Sequence, residues 1–289
     1  MSRYERWNRL LELVAEHGHL EVADTARVLD VSEATIRRDL DQLAEQRMLT
    51  RTRGGATGSS QLAHELPLLY KTARNAPEKR RIGRAAAALV ALGATVALNG
   101  GTTTIEVARA LGGGPGPGAP PAPGGPGHGG AGHGGAGHGG AGLSRAAPGG
   151  TPLTVVTNAL SIAGELAIRP HVKLVVTGGV ARPESSELIG PLGTHVLGEL
   201  LLDWAILGVD GLDAVAGATA HHEGEASINR LMASRAQRVA IVADGSKLGR
   251  RTFARVCGVD EIDVLVTDAA ADEPAVAALA DKGIQVITA

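Results

Sequence analysis

From residue 95 onward one pattern recurs: a short apolar run stops at glycine or a small polar residue. TVALNGGTTT (95–104), LTVVTN (153–158), VKLVVTGG (172–179), DWAILGVDG (203–211) and RVAIVADGSKLG (238–249) all follow it. Runs of this kind do not alternate apolar with polar, so each must be covered on both faces. That condition is met in parallel sheets flanked by helices. Ala-rich stretches between the runs supply the helices, and the 2% aromatic content means that the cores are built from Ala, Val, Leu and Ile. The expected body is therefore α/β, a mostly parallel sheet running through residues 77–289.

In such sheets ligands bind outside the carboxyl ends of the strands. The polar stops place Thr157, Asn158, Gly178, Gly179, Asp210, Gly211 and Lys247 at that edge. The first stop is the most chemical. Asn99 precedes Gly100, Gly101, Thr102, Thr103 and Thr104, a glycine turn opening into a helix. Glycines let backbone N–H groups approach an anion, hydroxyls add donors, and a helix N-terminus carries positive potential. A phosphate is the expected guest. Lys79, Arg80 and Arg81 lie in a helix starting near Pro77 and read as a solvated face.

Residues 1–57 have a different composition, rich in charge and helix formers. Trp7, Leu10, Leu11 and Val14 share a face of a first helix over 4–16, which Gly18 ends. A second helix over 21–29 buries Val22, Ala26 and Leu29. Ser32 then caps a third helix whose buried stripe is Ile36, Leu40 and Leu43. Off that stripe, in the first two turns, stand Ser32, Glu33, Thr35, Arg37 and Arg38. A helix-turn-helix offers this end of its second helix to the major groove, where arginine pairs with guanine and hydroxyls serve bases or phosphates. The segment 48–57, with Arg51 and Arg53 before a Gly pair, reads as a two-stranded wing whose arginines point together toward DNA. Residues 58–76 read as a linker.

VSEATIRRDLDQL followed by the glycine-paired wing closely resembles the DeoR family of bacterial regulators, whose motif is VS-x-x-TIRRDL. Asp30 departs from a small turn residue common there, and Asn99 from an Asp before the glycine turn. The resemblance implies a winged helix-turn-helix joined to a sensor domain similar to ribose-5-phosphate isomerase and the CoA transferases. It implies a double-stranded operator as partner and a phosphorylated sugar or related metabolite as effector, with the phosphate at residues 100–104. Thr157, Asn158, Gly178, Gly179, Asp210, Gly211, Glu225 and Lys247 would surround the sugar. The expected function is repression of a carbohydrate operon. The alternative is an isomerase-like enzyme with a DNA-binding head, Asp210, Glu225 and Lys247 supplying base and support.

The remaining features bound the reading. Residues 112–150 are almost pure Gly, Pro and Ala, and they read as a disordered insertion within the body, with His128, His133 and His138 incidental. One cysteine, Cys257, excludes an internal disulfide and reads as core. His221 and His222 read as a solvated loop rather than a metal site. The charged start, MSRYERWNRL, and the lack of a run near the roughly 18 apolar residues of a membrane span point to a cytoplasmic protein. No cofactor or metal is expected, and paired operator half-sites call for a homo-oligomer.

Overall fold

The computed structural model describes residues 3–46, 48–58, 75–113, 152–268 and 273–289. Its N-terminal part runs α1 (Arg3–His17), β1 (His19–Glu21), α2 (Val22–Leu29), α3 (Glu33–Glu45), β2 (Leu49–Thr52) and β3 (Gly55–Gly58). The helical stripes pack as the spacing predicts: Trp7, Leu10, Leu11, Val14, Val22, Ala26, Leu29, Ile36, Leu40 and Leu43 form one buried cluster. Gly18 stops α1 at φ 75°. Asp30 sits in the same left-handed region at φ 52°, ending α2, and Asp accepts that conformation more readily than most residues.

The wing has three strands rather than the expected two, in the order β1-β3-β2. The extra strand is the short stretch after Gly18, too brief to show a pattern of its own. Gly55 makes the sheet possible, because a Cβ there would fall 1.8 Å from the Leu20 carbonyl oxygen. β3 runs to Gly58 and α4 (Ala76–Ala87) follows; the intervening linker residues 59–74 lie outside the described set.

The body continues with β4 (Thr95–Leu98), α5 (Thr104–Gly112), β5 (Leu153–Thr157), α6 (Leu160–Leu166), β6 (Val172–Val176), β7 (Val180–Arg182) and β8 (Glu187–Ile189). Next come α7 (Pro191–Gly198), β9 (Leu202–Gly208), β10 (Gly211–Asp213), β11 (Gly217–Ala220), α8 (Glu223–Arg235) and β12 (Ala236–Val242). The chain closes with β13 (Ala254–Cys257), β14 (Val264–Thr267), α9 (Glu273–Ala280) and β15 (Gln285–Thr288). Seven strands form one sheet in the order β15-β14-β12-β9-β4-β5-β6, and every pairing in it is parallel. A separate apolar cluster covers each face, one around Ile206, Leu98 and Ile82, the other around Leu207, Leu197 and Ile228.

Strand order sets where a ligand can enter. From β4 the chain winds outward through β5 and β6, and from β9 it winds the other way through β12, β14 and β15. The switch point lies between β4 and β9, and beyond the carboxyl ends of such strands is where open parallel sheets bind ligands. Two small sheets, β7-β8 and β10-β11-β13, grow from that same edge. The insertion lies between α5 and β5; residues 114–151, including His128, His133 and His138, fall outside the described set.

Candidate functional site

Two sets of residues stand out, one on the head and one at the switch point. On the head, Ser32 caps α3 by accepting the Thr35 amide at 3.2 Å, and its hydroxyl lies 2.9 Å from that of Thr35. Glu33 and Arg37 form an exposed pair, 2.7 Å apart, one turn along. Arg38 is exposed beside them and has no partner among the described residues. The core stripe on the opposite side fixes which way this face points.

The wing arginines are not placed alike, as the sequence pattern implied they would be. Arg51 is held inward: its Nε lies 2.8 Å from Asp41 of α3 and its Nη1 donates to the Gly55 carbonyl at 2.5 Å. It braces wing to helix. Arg53 sits in the turn beside Gly54, exposed and without a partner among the described residues. Sequence spacing cannot separate these roles, because the partner of Arg51 comes from another element.

Asp39 is the head residue that pattern reading missed. Its buried carboxylate accepts from Arg6 Nε at 2.5 Å, Arg6 Nη2 at 3.2 Å and Trp7 Nε1 at 2.8 Å. Hydrogen bonding to Asp39 raises the Arg6 guanidinium above its ordinary value, against the opposing effect of burial. The clamp locks α1 to α3.

At the switch point, Asn99 turns sideways from β4 and joins β9. Its Nδ2 donates to the Gly208 carbonyl at 2.9 Å, and its Oδ1 accepts the Gly208 amide at 2.8 Å. Gly100 and Gly101 follow, Gly101 at φ 149°, and α5 begins at Thr104. The Thr104 hydroxyl donates to the Gly101 carbonyl at 3.1 Å. The Gly101, Thr102 and Thr103 amides have no acceptor among the described residues, so this turn keeps the donors that an anion needs.

The neighbouring strand ends carry both structural and chemical groups. Thr157 donates to the Leu98 carbonyl at 2.6 Å and accepts the Ala159 amide at 3.1 Å, tying β5 to β4. Buried Asn158 donates to Glu187 at 2.9 Å. Gly178 and Gly179 take positive φ values of 79° and 131°, and a Cβ at Gly179 would meet the Ile189 carbonyl. Gly211 is likewise set by packing, with the Arg250 carbonyl 2.6 Å from where a Cβ would lie. Asp210 accepts the His221 amide at 3.1 Å, and Lys247 stands 3.9 Å from it. Glu225, in the first turn of α8, pairs with Arg182 at 2.9 Å.

Three more groups belong to this edge. Lys79 is not part of a solvated face: it is 5% exposed, while Arg80 and Arg81 are exposed. Its charge acts on Asp244 at the end of β12. Burial pushes the Asp244 carboxyl up, but bonds from Ser246 and the charges of Lys79 and Lys247 outweigh that and hold it low. Asp268, at the end of β14, accepts the Gly245 amide at 2.9 Å. The signal for Lys79 was its register, one turn before buried Ile82 and Gly83.

Other sequence readings resolve simply. His222 is a cap, its Nδ1 accepting the Gly224 amide at 3.1 Å, not a loop residue without a task. Cys257 is buried, and desolvation pushes its thiol up to about 12, which leaves it unreactive. Among the described residues no cluster of His, Cys, Asp or Glu is arranged to hold a metal, and no helix is long and apolar enough to cross a membrane.

A winged helix-turn-helix joined to a parallel α/β domain with polar residues gathered at its switch point defines a DNA-binding regulator with a sensor domain. The chain belongs to the DeoR family: residues 6–61 match the DeoR-like helix-turn-helix domain and residues 141–269 the DeoR C terminal sensor domain. The HTH-type transcriptional regulator GlpR of Haloferax volcanii is 30% identical over 283 residues, 98% of this chain and 96% of that one. The glycerol-3-phosphate regulon repressor of Escherichia coli K12 is 27% identical over 99% of this chain and 98% of its own length. Both relatives are named as regulators, which favours regulation over the isomerase alternative. Solved structures overlap more loosely. Ribose 5-phosphate isomerase A of Methanocaldococcus jannaschii gives a TM-score of 0.36 at 15% identity, over 60% of this chain and 54% of that one. The sorbitol operon regulator SorC of Klebsiella pneumoniae also gives 0.36, at 14% identity over 94% and 98%.

Proposed function

We propose that this chain represses a carbohydrate-metabolism operon, and that a phosphorylated sugar in the switch-point crevice modulates its grip on the operator. The observation that carries the reading is the coexistence of two prepared surfaces. One is the exposed α3 face with Ser32, Glu33, Thr35, Arg37 and Arg38, with Arg53 beside it on the wing. The other is the α5 turn with its open amides. A relative named as the repressor of the glycerol-3-phosphate regulon supports a phosphorylated metabolite as the class of effector.

In this reading Arg37 and Arg38 approach guanine edges, Ser32 and Thr35 fix the helix end on the backbone, and Arg53 reaches phosphate. Gly100, Gly101, Thr102, Thr103 and Thr104 hold the effector's phosphate, and Asn99 keeps β4 and β9 in place beneath it. Asp210, Glu225, Lys247 and Lys79 surround the sugar; Thr157, Asn158, Gly178, Gly179 and Gly211 shape the walls. The working form is a homo-oligomer, a dimer or tetramer, in which paired heads meet paired half-sites.

The test starts from DNA duplexes that the chain itself selects from a random pool. Arg37→Ala and Arg38→Ala should each weaken the gel shift about ten-fold or more, since a good arginine–guanine pair is worth about 1–3 kcal/mol. Phosphosugars should still raise the sensor's melting temperature in both variants by mass action. Unchanged gel shifts in both variants would sink the DNA assignment. A sensor that no phosphosugar stabilises, and whose operator complex none alters, would sink the effector assignment.

A further inference from the structure

The start of α3 carries a carboxylate among its arginines, an unexpected choice for a helix proposed to approach phosphate. Ser32 and Thr35 are engaged in the cap, through the Thr35 amide at 3.2 Å and a contact of 2.9 Å between their hydroxyls. Glu33 is not part of that cap. Its Oε2 accepts from Arg37 Nη2 at 2.7 Å, and its Oε1 has no partner among the described residues. The two side chains are 49% and 59% exposed, so the pair stands in solvent with one acceptor oxygen and most of a guanidinium fork unused. Ala34 is exposed next to Glu33 and carries nothing beyond Cβ to hold the helix away from a base. An exposed pair of this kind stabilises a helix only slightly.

The edges of the bases decide what such a pair can meet. In the major groove guanine shows two acceptors, thymine an acceptor and a methyl group, and adenine a donor beside an acceptor; cytosine alone shows a donor with no acceptor of its own. A carboxylate accepts and does not donate. It is therefore repelled by guanine and thymine, half matched by adenine and fully matched by cytosine. Arginine has the complementary preference, two donors for guanine's two acceptors. A guanidinium has five N–H donors and Glu33 takes one, so Arg37 can hold Glu33 and a guanine together. Cytosine and guanine face each other in one base pair, and an acceptor held beside a donor fork suits that pair or two adjoining ones. The phosphates flanking the groove repel Glu33, and among the bases only cytosine offsets that cost in full.

We propose that Glu33 is a specificity residue that reads cytosine, at or next to the base pair whose guanine Arg37 reads. This rests on the DNA assignment above and deepens it from a basic face to a stated base.

Selection from a random duplex pool, with wild type, Glu33→Gln, Glu33→Ala and Arg37→Ala sequenced in parallel, tests it. Wild type should enrich a cytosine at one fixed position of its site. Glu33→Gln should move the preference there to adenine, whose donor–acceptor edge matches a carboxamide. Glu33→Ala should erase the preference at that position alone. In anisotropy titrations, replacing that cytosine should weaken wild type about ten-fold and Glu33→Ala less than about two-fold. Glu33→Ala should also bind a random duplex more tightly than wild type does, because a charge that phosphate repels has gone. A wild-type pool with no preferred cytosine, or a cytosine that survives in both Glu33 variants, overturns the assignment. Tighter binding of Glu33→Ala to every duplex with base preferences unchanged overturns it too, and leaves Glu33 as a repulsive charge. Loss of an enriched guanine in Arg37→Ala keeps α3 in the groove whatever Glu33 does. A consensus unchanged in all three variants takes the DNA assignment of this face down as well. Circular dichroism confirms that each variant folds, and the wild-type pool needs no variant.

Discussion

Asn99 shows how one side-chain amide can do what neither a carboxylate nor a small residue could. It donates to and accepts from the same residue, Gly208, at 2.9 and 2.8 Å, closing the gap between the two strands where the sheet's winding reverses. An Asp here would still accept the Gly208 amide, but its second oxygen would face the Gly208 carbonyl. At 2% exposure there is no water to separate them. Asn99→Asp should therefore destabilise the sensor by about 1–3 kcal/mol at neutral pH, the cost of a buried group left unsatisfied. The sign with pH follows. An Asp forced against a carbonyl has its folded value raised, so its protonated form restores the bond below the ordinary carboxylate range, and the loss grows as pH rises through the raised value. Urea denaturation at pH 5 and pH 8 checks this. A variant as stable as wild type at pH 8 would show that the clasp contributes nothing.

At the scale of elements, periodicity carried most of the fold. The helices of the head declared themselves through Leu10, Leu11 and Val14 or Ile36, Leu40 and Leu43, because a buried stripe must repeat at the helical period. The parallel strands did so through unbroken apolar runs ending in polar residues. Contacts between elements left no such trace. Arg6 and Asp39 lie 33 positions apart and Asn99 and Gly208 lie 109 apart, separations that no local pattern encodes. Arg51 and Arg53 look equivalent in sequence and differ only because Asp41 reaches one of them. Lys79 reads as surface because its run is basic, yet its helical register turns it inward. The α1–α3 clamp gives this a measurable form. Asp39→Ala strands a guanidinium at 13% side-chain exposure and an indole N–H that has lost its acceptor. Breaking a buried pair from one side costs about 3–5 kcal/mol, a large share of what so small a head can have. Calorimetry should show the head's transition moved sharply down or lost and the sensor's unmoved, together with loss of operator binding. A single unshifted transition for the whole chain would mean that the clamp is marginal.

For the whole molecule, the question is how many heads hold one operator, and the head's own chemistry supplies a way to count them. Overall charge is no guide, since the formal net charge is −2 and the residues proposed to meet DNA are a few exposed arginines on one face. Each phosphate contact releases counterions, so the logarithm of the binding constant falls with the logarithm of salt at about 0.9 per contact on duplex DNA. Arg53 sits exposed in the wing turn without a partner among the described residues, so removing it deletes one expected phosphate contact per head and leaves the Arg51–Asp41 brace intact. If two heads grip one operator, Arg53→Ala should lower the salt slope by about 1.8; a single bound head would lower it by about 0.9. Fluorescence anisotropy across a salt series, with wild type and variant on the same selected duplex, measures the difference directly. Arg51→Ala is the control that separates contact from scaffold. Its guanidinium is already engaged at 2.8 Å by Asp41, so its loss should weaken binding through wing stability with little change of slope. A slope that moves equally for both arginines would mean that the inward hold on Arg51 gives way when DNA arrives. A slope that moves for neither would remove the wing from the DNA interface.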